Sequence, residues 1–207
     1  MRELTEDRFY REYAVYQDCV LDYCIIDGEG PYLGKDSHQA AVLFAMDQWF
    51  RRQCLMDDET EDDEPPPCPT VPMSAEPVDA KEFLAVPGRP WRKRSRILNT
   101  DVQFFDNEVI DKNNPPYWFL FLEPPHGTGV KKYPDGREVK GAYTLEDFTA
   151  LNKILFPDGA EALEVYSWNT DWSEYFDDGH EWWGARCWSI FDKVRRRFVV
   201  IGASATD

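Results

Sequence analysis

ARCWSIFDKVRRRFVVIGASA, residues 185–205, decides the fold class of this chain. Two runs rich in β-branched and aromatic residues, ARCWSIFD and RFVVIGASA, flank the basic stretch Lys193 to Arg196. That pattern predicts a β-hairpin whose second strand covers Phe198 to Ala203, with Cys187 buried in the first. Leu163 to Trp168 reads as a neighbouring strand. VKKYPDGREV carries Pro134, Asp135 and Gly136, turn residues of the kind that join two short strands. YWFLFLE, Tyr117 to Glu123, is an unbroken apolar run between proline pairs, which predicts a central strand buried on both faces.

Helical patterns lie on either side of these strands. Thr144 with Asp147 opens a helix bearing Leu145, Phe148, Leu151, Ile154 and Leu155, closed by Pro157 and Gly159. Near the N-terminus, Thr5 can cap a helix that lines Phe9, Tyr13, Tyr16 and Val20 along one face. Gly28, Gly30, Pro31 and Gly34 interrupt it, and Asp36 with Gln39 then forms a capping box for a second helix carrying Leu43, Met46, Trp49 and Phe50. Amphipathic helices need a surface to cover. The expected fold is therefore α+β: a mostly antiparallel sheet with an N-terminal helical pair and one further helix packed on it.

At 207 residues with 43% hydrophobic and 15% aromatic content, the chain can bury a substantial core as a single domain. Composition divides it into a helical part (1–56), an acidic and proline-rich connector ending in a basic patch (57–96), and a sheet-forming part (97–207). Eight of the fifteen prolines fall in the connector, so backbone donors are scarce there and only Lys81 to Val86 suits a helical turn. Its end, RPWRKRSR (Arg89 to Arg96), is expected to fold back onto acidic surface of the same domain.

The formal net charge is −16, spread as −4, −4 and −8 over residues 1–56, 57–96 and 97–207. A field of that sign repels phosphates and anionic lipids and favours cations, so the expected partner is a basic protein or peptide segment, with no nucleic acid and no membrane. The N-terminus shows no apolar leader, and no window approaches the roughly 18 apolar residues of a membrane span; a cytoplasmic location is expected. The five cysteines form no CxxC pair, which points to reduced thiols rather than a disulfide framework or a zinc site. GxGxxG, Walker and GxSxG patterns are missing, so no cofactor is expected and no metal.

The functional signal sits in WNTDWSEYFDDGHEWWG, residues 168–184. Asp171 with Glu174 resembles a capping box, Trp172, Tyr175 and Phe176 fall on one side of a short helix, and Gly179 suits its stop. Trp182 and Trp183 are adjacent, and neighbours in an extended strand point to opposite faces. One indole then faces outward beside Asp177, Asp178 and Glu181. The first reading is a noncatalytic protein-binding module. Its surface comprises Trp168, Trp172, Asp177, Asp178, Glu181, Trp182 and Trp183, and it engages a basic partner by charge pairing and cation–π contact. Immunity proteins that neutralise basic toxins and regulators that mask basic regions work this way. The second reading is a hydrolase or a metal- or carbohydrate-binding enzyme in which Glu123, His126, His180 and Glu181 share a pocket beside tryptophan platforms. HEWWG lacks the second histidine of the HExxH zinc signature. His38, at the start of a helix, is expected to be an ordinary surface residue.

Overall fold

The computed structural model describes residues 1–17, 19–28, 30–56, 69, 71–86, 91–95, 100–104, 115–122, 129–141, 143–181 and 185–204, with backbone alone for 53–56, 91–95, 100–104 and 181. In chain order the elements are α1 (Arg8–Tyr13), β1 (Leu21–Asp27), α2 (Lys35–Met56), β2 (Ala75–Val78), α3 (Ala80–Leu84), β3 (Trp91–Ser95), β4 (Thr100–Phe104) and α4 (Tyr117–Leu122). There follow β5 (Val130–Lys132), β6 (Glu138–Lys140), α5 (Leu145–Leu155), β7 (Leu163–Trp168), α6 (Asp177–Glu181), β8 (Arg186–Asp192) and β9 (Arg197–Ala203).

Strands β8 and β9 form the expected hairpin, with Phe191 opposite Phe198 and Asp192 opposite Arg197. They lie at the centre of a five-stranded antiparallel sheet of order β1-β9-β8-β7-β2. The Asp192 carboxylate holds the turn by accepting from the Val194 and Arg195 amides at 3.0 and 2.9 Å. Side chains alternate between two cores. Trp188, Ile190, Val199 and Ile201 face Phe9 of α1, Phe83 of α3, the whole of α4, and Phe148 and Leu151 of α5. Cys187, Phe191, Phe198 and Val200 face Ala41, Val42, Ala45, Met46 and Trp49 of α2. A sheet covered on both faces needs apolar residues at every position, which is why β8 and β9 read as continuous runs. The fold is α+β in three layers.

Helix α2 starts after Gly34, whose φ of +62° turns the chain and whose carbonyl accepts from the Ser37 and His38 amides. Helix α5 carries the expected capping box, with the Asp147 amide donating to Thr144 Oγ1 at 3.2 Å and the Thr144 amide donating to Asp147 Oδ2 at 2.8 Å.

Several sequence expectations need correction. Tyr117–Leu122 is a helix rather than a strand. Pro115 and Pro116 precede its first turn, where a missing N–H is harmless, and the Pro116 carbonyl accepts from the Phe119 and Leu120 amides. All six of its side chains are buried, and an apolar run buried all round carries no period to distinguish helix from strand. The N-terminal helices do not pair: α1 and α2 lie on opposite faces of the sheet, with β1 between them. Asp7, not Thr5, caps α1, accepting from the Phe9 amide at 2.9 Å. The chain leaves the helix after Tyr13 because its backbone finds partners in the β5–β6 hairpin, Lys132 N–H to Val15 O and Gln17 N–H to Val130 O. Within the expected connector, β2 is an edge strand of the main sheet and α3 buries its own Phe83 in the core.

Gly202 shows how closely α2 and the 168–181 segment press on β9. A Cβ there would stand 2.7 Å from the Trp49 ring and 2.9 Å from the Tyr175 hydroxyl. Gly202→Ala is expected to destabilise the protein by about 1–3 kcal/mol, the usual range for overpacking a filled core. Urea unfolding checks this.

Candidate functional site

The 168–181 segment is anchored from below by its aromatic residues. Trp168 ends β7 at 3% exposure and its indole N–H donates to Ser189 Oγ at 2.8 Å. Trp172, 2% exposed, donates to the Asn169 carbonyl at 2.6 Å and meets Phe176 edge-on at 5.5 Å. Ser173 rather than Asp171 caps the next turn, accepting from the Tyr175 amide. Tyr175 stacks on Trp49 at 5.2 Å and donates its hydroxyl proton to Asp22 at 2.6 Å. Gly179 is not a helix stop but lies inside α6, where its amide donates to Ser204 Oγ. Trp168 and Trp172, expected at a binding surface, are thus core residues, because their rings fill the space between the segment, α2 and the sheet.

The carboxylates of the same segment point the other way. Asp171, Glu174, Asp177 and Asp178 are all exposed. Among the described residues Glu174, Asp177 and Asp178 have no basic partner, and Asp171 has His180 alone, 4.0 Å away. His180 is itself exposed and bonded to Thr170 Oγ1 at 2.8 Å. The result is an acidic arc on a base fixed by buried rings. Trp182 and Trp183 lie outside the described residues, as does the side chain of Glu181. Glu123 and His126 also lie outside them, so the four-residue cluster of the enzymatic reading is represented only by His180. Among the described residues no group of three or more His, Cys, Asp and Glu side chains is placed to hold a metal ion.

His38, expected at the surface, is also placed differently by the structure. It is fully buried between α2 and the sheet. Its Nδ1 shares a 2.8 Å hydrogen bond with Ser189 Oγ and its Nε2 a 3.0 Å bond with the Tyr32 hydroxyl. Tyr32 donates onward to Glu164 at 2.5 Å, so a polar chain runs from the half-buried Glu164 through Tyr32, His38 and Ser189 to Trp168. Burial pushes the imidazole down to about 4, against the opposing pull of the Glu164 carboxylate. Serine and histidine in contact resemble a nucleophile and its base, yet neither is exposed and Ser189 Oγ already accepts a hydrogen bond from the Trp168 N–H. The chain is built for holding α2 to the sheet. Its sequence signal was spacing: His38 precedes Ala41, Val42, Ala45 and Trp49 on a single helical stripe.

At the β2 edge of the sheet lies a cleft of about 600 Å³, within the range of ligand and side-chain pockets. Phe83 of α3 and Tyr117 of α4 stack at 4.8 Å to form one wall, and Trp188 meets them edge-on at 5.8 and 6.0 Å. Glu76 and Glu82 border it, both exposed. Arg186 lies 4.9 Å over the Trp188 ring and donates to Ser167 Oγ at 3.1 Å. Asn169, where the acidic segment begins, also lines the cleft. Among the described residues no helix is long and apolar enough to cross a membrane. Comparison of the chain with protein-family models, with curated proteins and with solved structures finds no match to any of them.

Proposed function

We propose that this protein is a noncatalytic binding module whose acidic arc, Asp171, Glu174, Asp177 and Asp178, engages a basic protein or peptide segment, in the manner of an immunity or regulatory protein. The observation that supports this most is the separation of roles within one segment. The rings of Trp168, Trp172 and Phe176 are committed to the core, while the carboxylates face solvent with, among the described residues, at most one weak intramolecular counter-charge between them. Four fixed negative charges on a rigid base favour a cationic surface over any other, and a net charge of −16 steers such a partner inward. Burial of Trp168 and Trp172 takes these two rings out of the contact, and the exposed carboxylates make affinity depend on salt.

The test is titration of a lysine-rich twelve-residue peptide into the wild type and the Asp171→Asn, Glu174→Gln, Asp177→Asn, Asp178→Asn variant. Each exposed charge contributes roughly 0.2–1 kcal/mol, so the variant is expected to bind about tenfold more weakly while its unfolding midpoint is unchanged. Equal affinity for both proteins sinks the proposal.

A further inference from the structure

We infer that residues 30–34 form a strap, latched by Tyr32, that lifts from the sheet when His38 takes up a proton. The strap begins and ends on glycines in left-handed backbone, Gly30 at φ +101° and Gly34 at φ +62°. A Cβ at either would stand in open space, so it is the turn of the backbone, not packing, that calls for glycine. Among the described residues few bonds hold the strap down. The Gly30 carbonyl accepts from Arg196 at 3.0 Å and the Leu33 amide donates to Ser37 Oγ at 2.9 Å. Tyr32 supplies the main attachment: its ring lies flat on Phe191 at 4.2 Å, and its hydroxyl joins His38 to Glu164. Beneath lies a cavity of about 160 Å³ lined in part by Tyr32, Ala40, Phe191 and Phe198, so the strap covers unfilled apolar space rather than a close-packed core.

The hydrogen bonds admit one arrangement of protons. Tyr32 gives its hydroxyl proton to the Glu164 carboxylate and can then only accept from His38, so the closed strap requires the proton on Nε2. The Trp168 N–H can only donate to Ser189, and the Ser189 hydroxyl proton goes to the bare Nδ1. A second ring proton goes to Nδ1 and meets the Ser189 O–H head-on, inside a site with no solvent exposure. Facing the ring are Tyr32 from the strap, Glu164 and Tyr166 from β7, Ser189 and Phe191 from β8, and Phe198 from β9. On α2 itself, Lys35 is turned to the Ala75 carbonyl. Glu164 is the one carboxylate in this set, and its Oε1 lies 4.0 Å from Nε2 with the Tyr32 hydroxyl bonded to both. Once the ring is charged, a direct His38–Glu164 ion pair displaces the bridging hydroxyl and frees Tyr32 with the strap. The closed strap belongs to the neutral imidazole and the open strap to the charged one, so opening rises as pH falls. Burial holds the ring down to about 4 when closed, against about 6.5 in water, and the window lies between those values.

The experiment is a titration of the wild-type protein from pH 7 to pH 4 by nuclear magnetic resonance, following the His38 ring nitrogens, the Tyr32 ring protons and the backbone amides of β9. At pH 7 the Phe191 face displaces the Tyr32 signals. They are expected to move to the positions of a free tyrosine with the same midpoint as the His38 nitrogens, while the β9 amides keep their folded positions. A strap that frees the ring fully raises the ratio of open to closed protein about fiftyfold between pH 7 and pH 4.5. In His38→Gln the Tyr32 signals are expected to stay fixed over that range, and the wild-type midpoints decide alone should that variant not fold. Three results overturn the proposal: Tyr32 moving only as the β9 signals are lost, Tyr32 staying fixed down to pH 4 whether or not His38 titrates, and Tyr32 moving equally in His38→Gln.

Discussion

Replacing Trp168 with alanine is expected to destabilise the protein by about 3–5 kcal/mol, the range for deleting a large buried ring. The ring is 3% exposed and sits in the core between α2 and the sheet, so its removal opens a void that the fixed strands β7 and β8 cannot close. Its N–H also goes to Ser189, and losing it takes a donor from the polar chain through His38. Trp168→Phe keeps most of the apolar contact and removes only the donor, so its loss should be smaller, about 1–3 kcal/mol. Urea unfolding followed by circular dichroism reads both. A loss below about 1 kcal/mol for the alanine variant, together with weaker peptide binding, would make Trp168 a docking ring and reverse its assignment to the core.

Acidification is expected to weaken the fold through His38. The imidazole titrates near 6.5 in the unfolded chain and about 4 in the folded one, so between those values the unfolded state binds more protons. The stabilisation from keeping His38 neutral is complete above about pH 6.5. It is lost as pH falls toward 4 and amounts to about 3 kcal/mol over that window. Glu164 faces the ring from β7 and Tyr32 from the loop before α2, and the carboxylate moderates the effect by favouring the charged form. Other carboxylates titrate in the same window, so the diagnostic quantity is a difference. His38→Asn should start less stable at pH 7 and show a shallower decline between pH 6.5 and pH 4. Parallel declines in the two proteins would mean that His38 is not held neutral.

The parts of the fold that were legible in the sequence are those whose local and tertiary preferences agree. The hairpin of β8 and β9, the Thr144–Asp147 capping box and the strand Leu163–Trp168 all form where their residues predict. Those that were not legible depend on distant partners. Tyr117–Leu122 is helical because surfaces from α3, α5 and the sheet surround it, and an all-apolar hexamer announces burial without announcing conformation. Strand β2 contains Pro77, tolerated because, among the described residues, β2 pairs with β7 alone and lies at the sheet edge. Strand β1 was masked by aromatic spacing that continues the helical period of α1 past Tyr13, where hydrogen bonds to the β5–β6 hairpin end the helix. At the candidate site, Asp177 and Asp178 were legible as exposed because charged side chains are seldom buried unpaired, whereas Asp171 and Glu174 read as a capping box. The direction in which Trp168 and Trp172 point was not, since an indole serves a core and an interface equally well.

The most direct test of the acidic-arc account is the salt dependence of the lysine-rich peptide titration with the wild-type protein. Exposed charge pairs are screened over a Debye length of about 8–10 Å near physiological ionic strength and about 3 Å at 1 M. The account predicts a saturable one-to-one isotherm at 50 mM salt whose affinity falls steadily as salt rises, with the fourfold-neutralised variant showing a shallower fall. An isotherm indifferent to salt, or no binding at 50 mM salt, would contradict it.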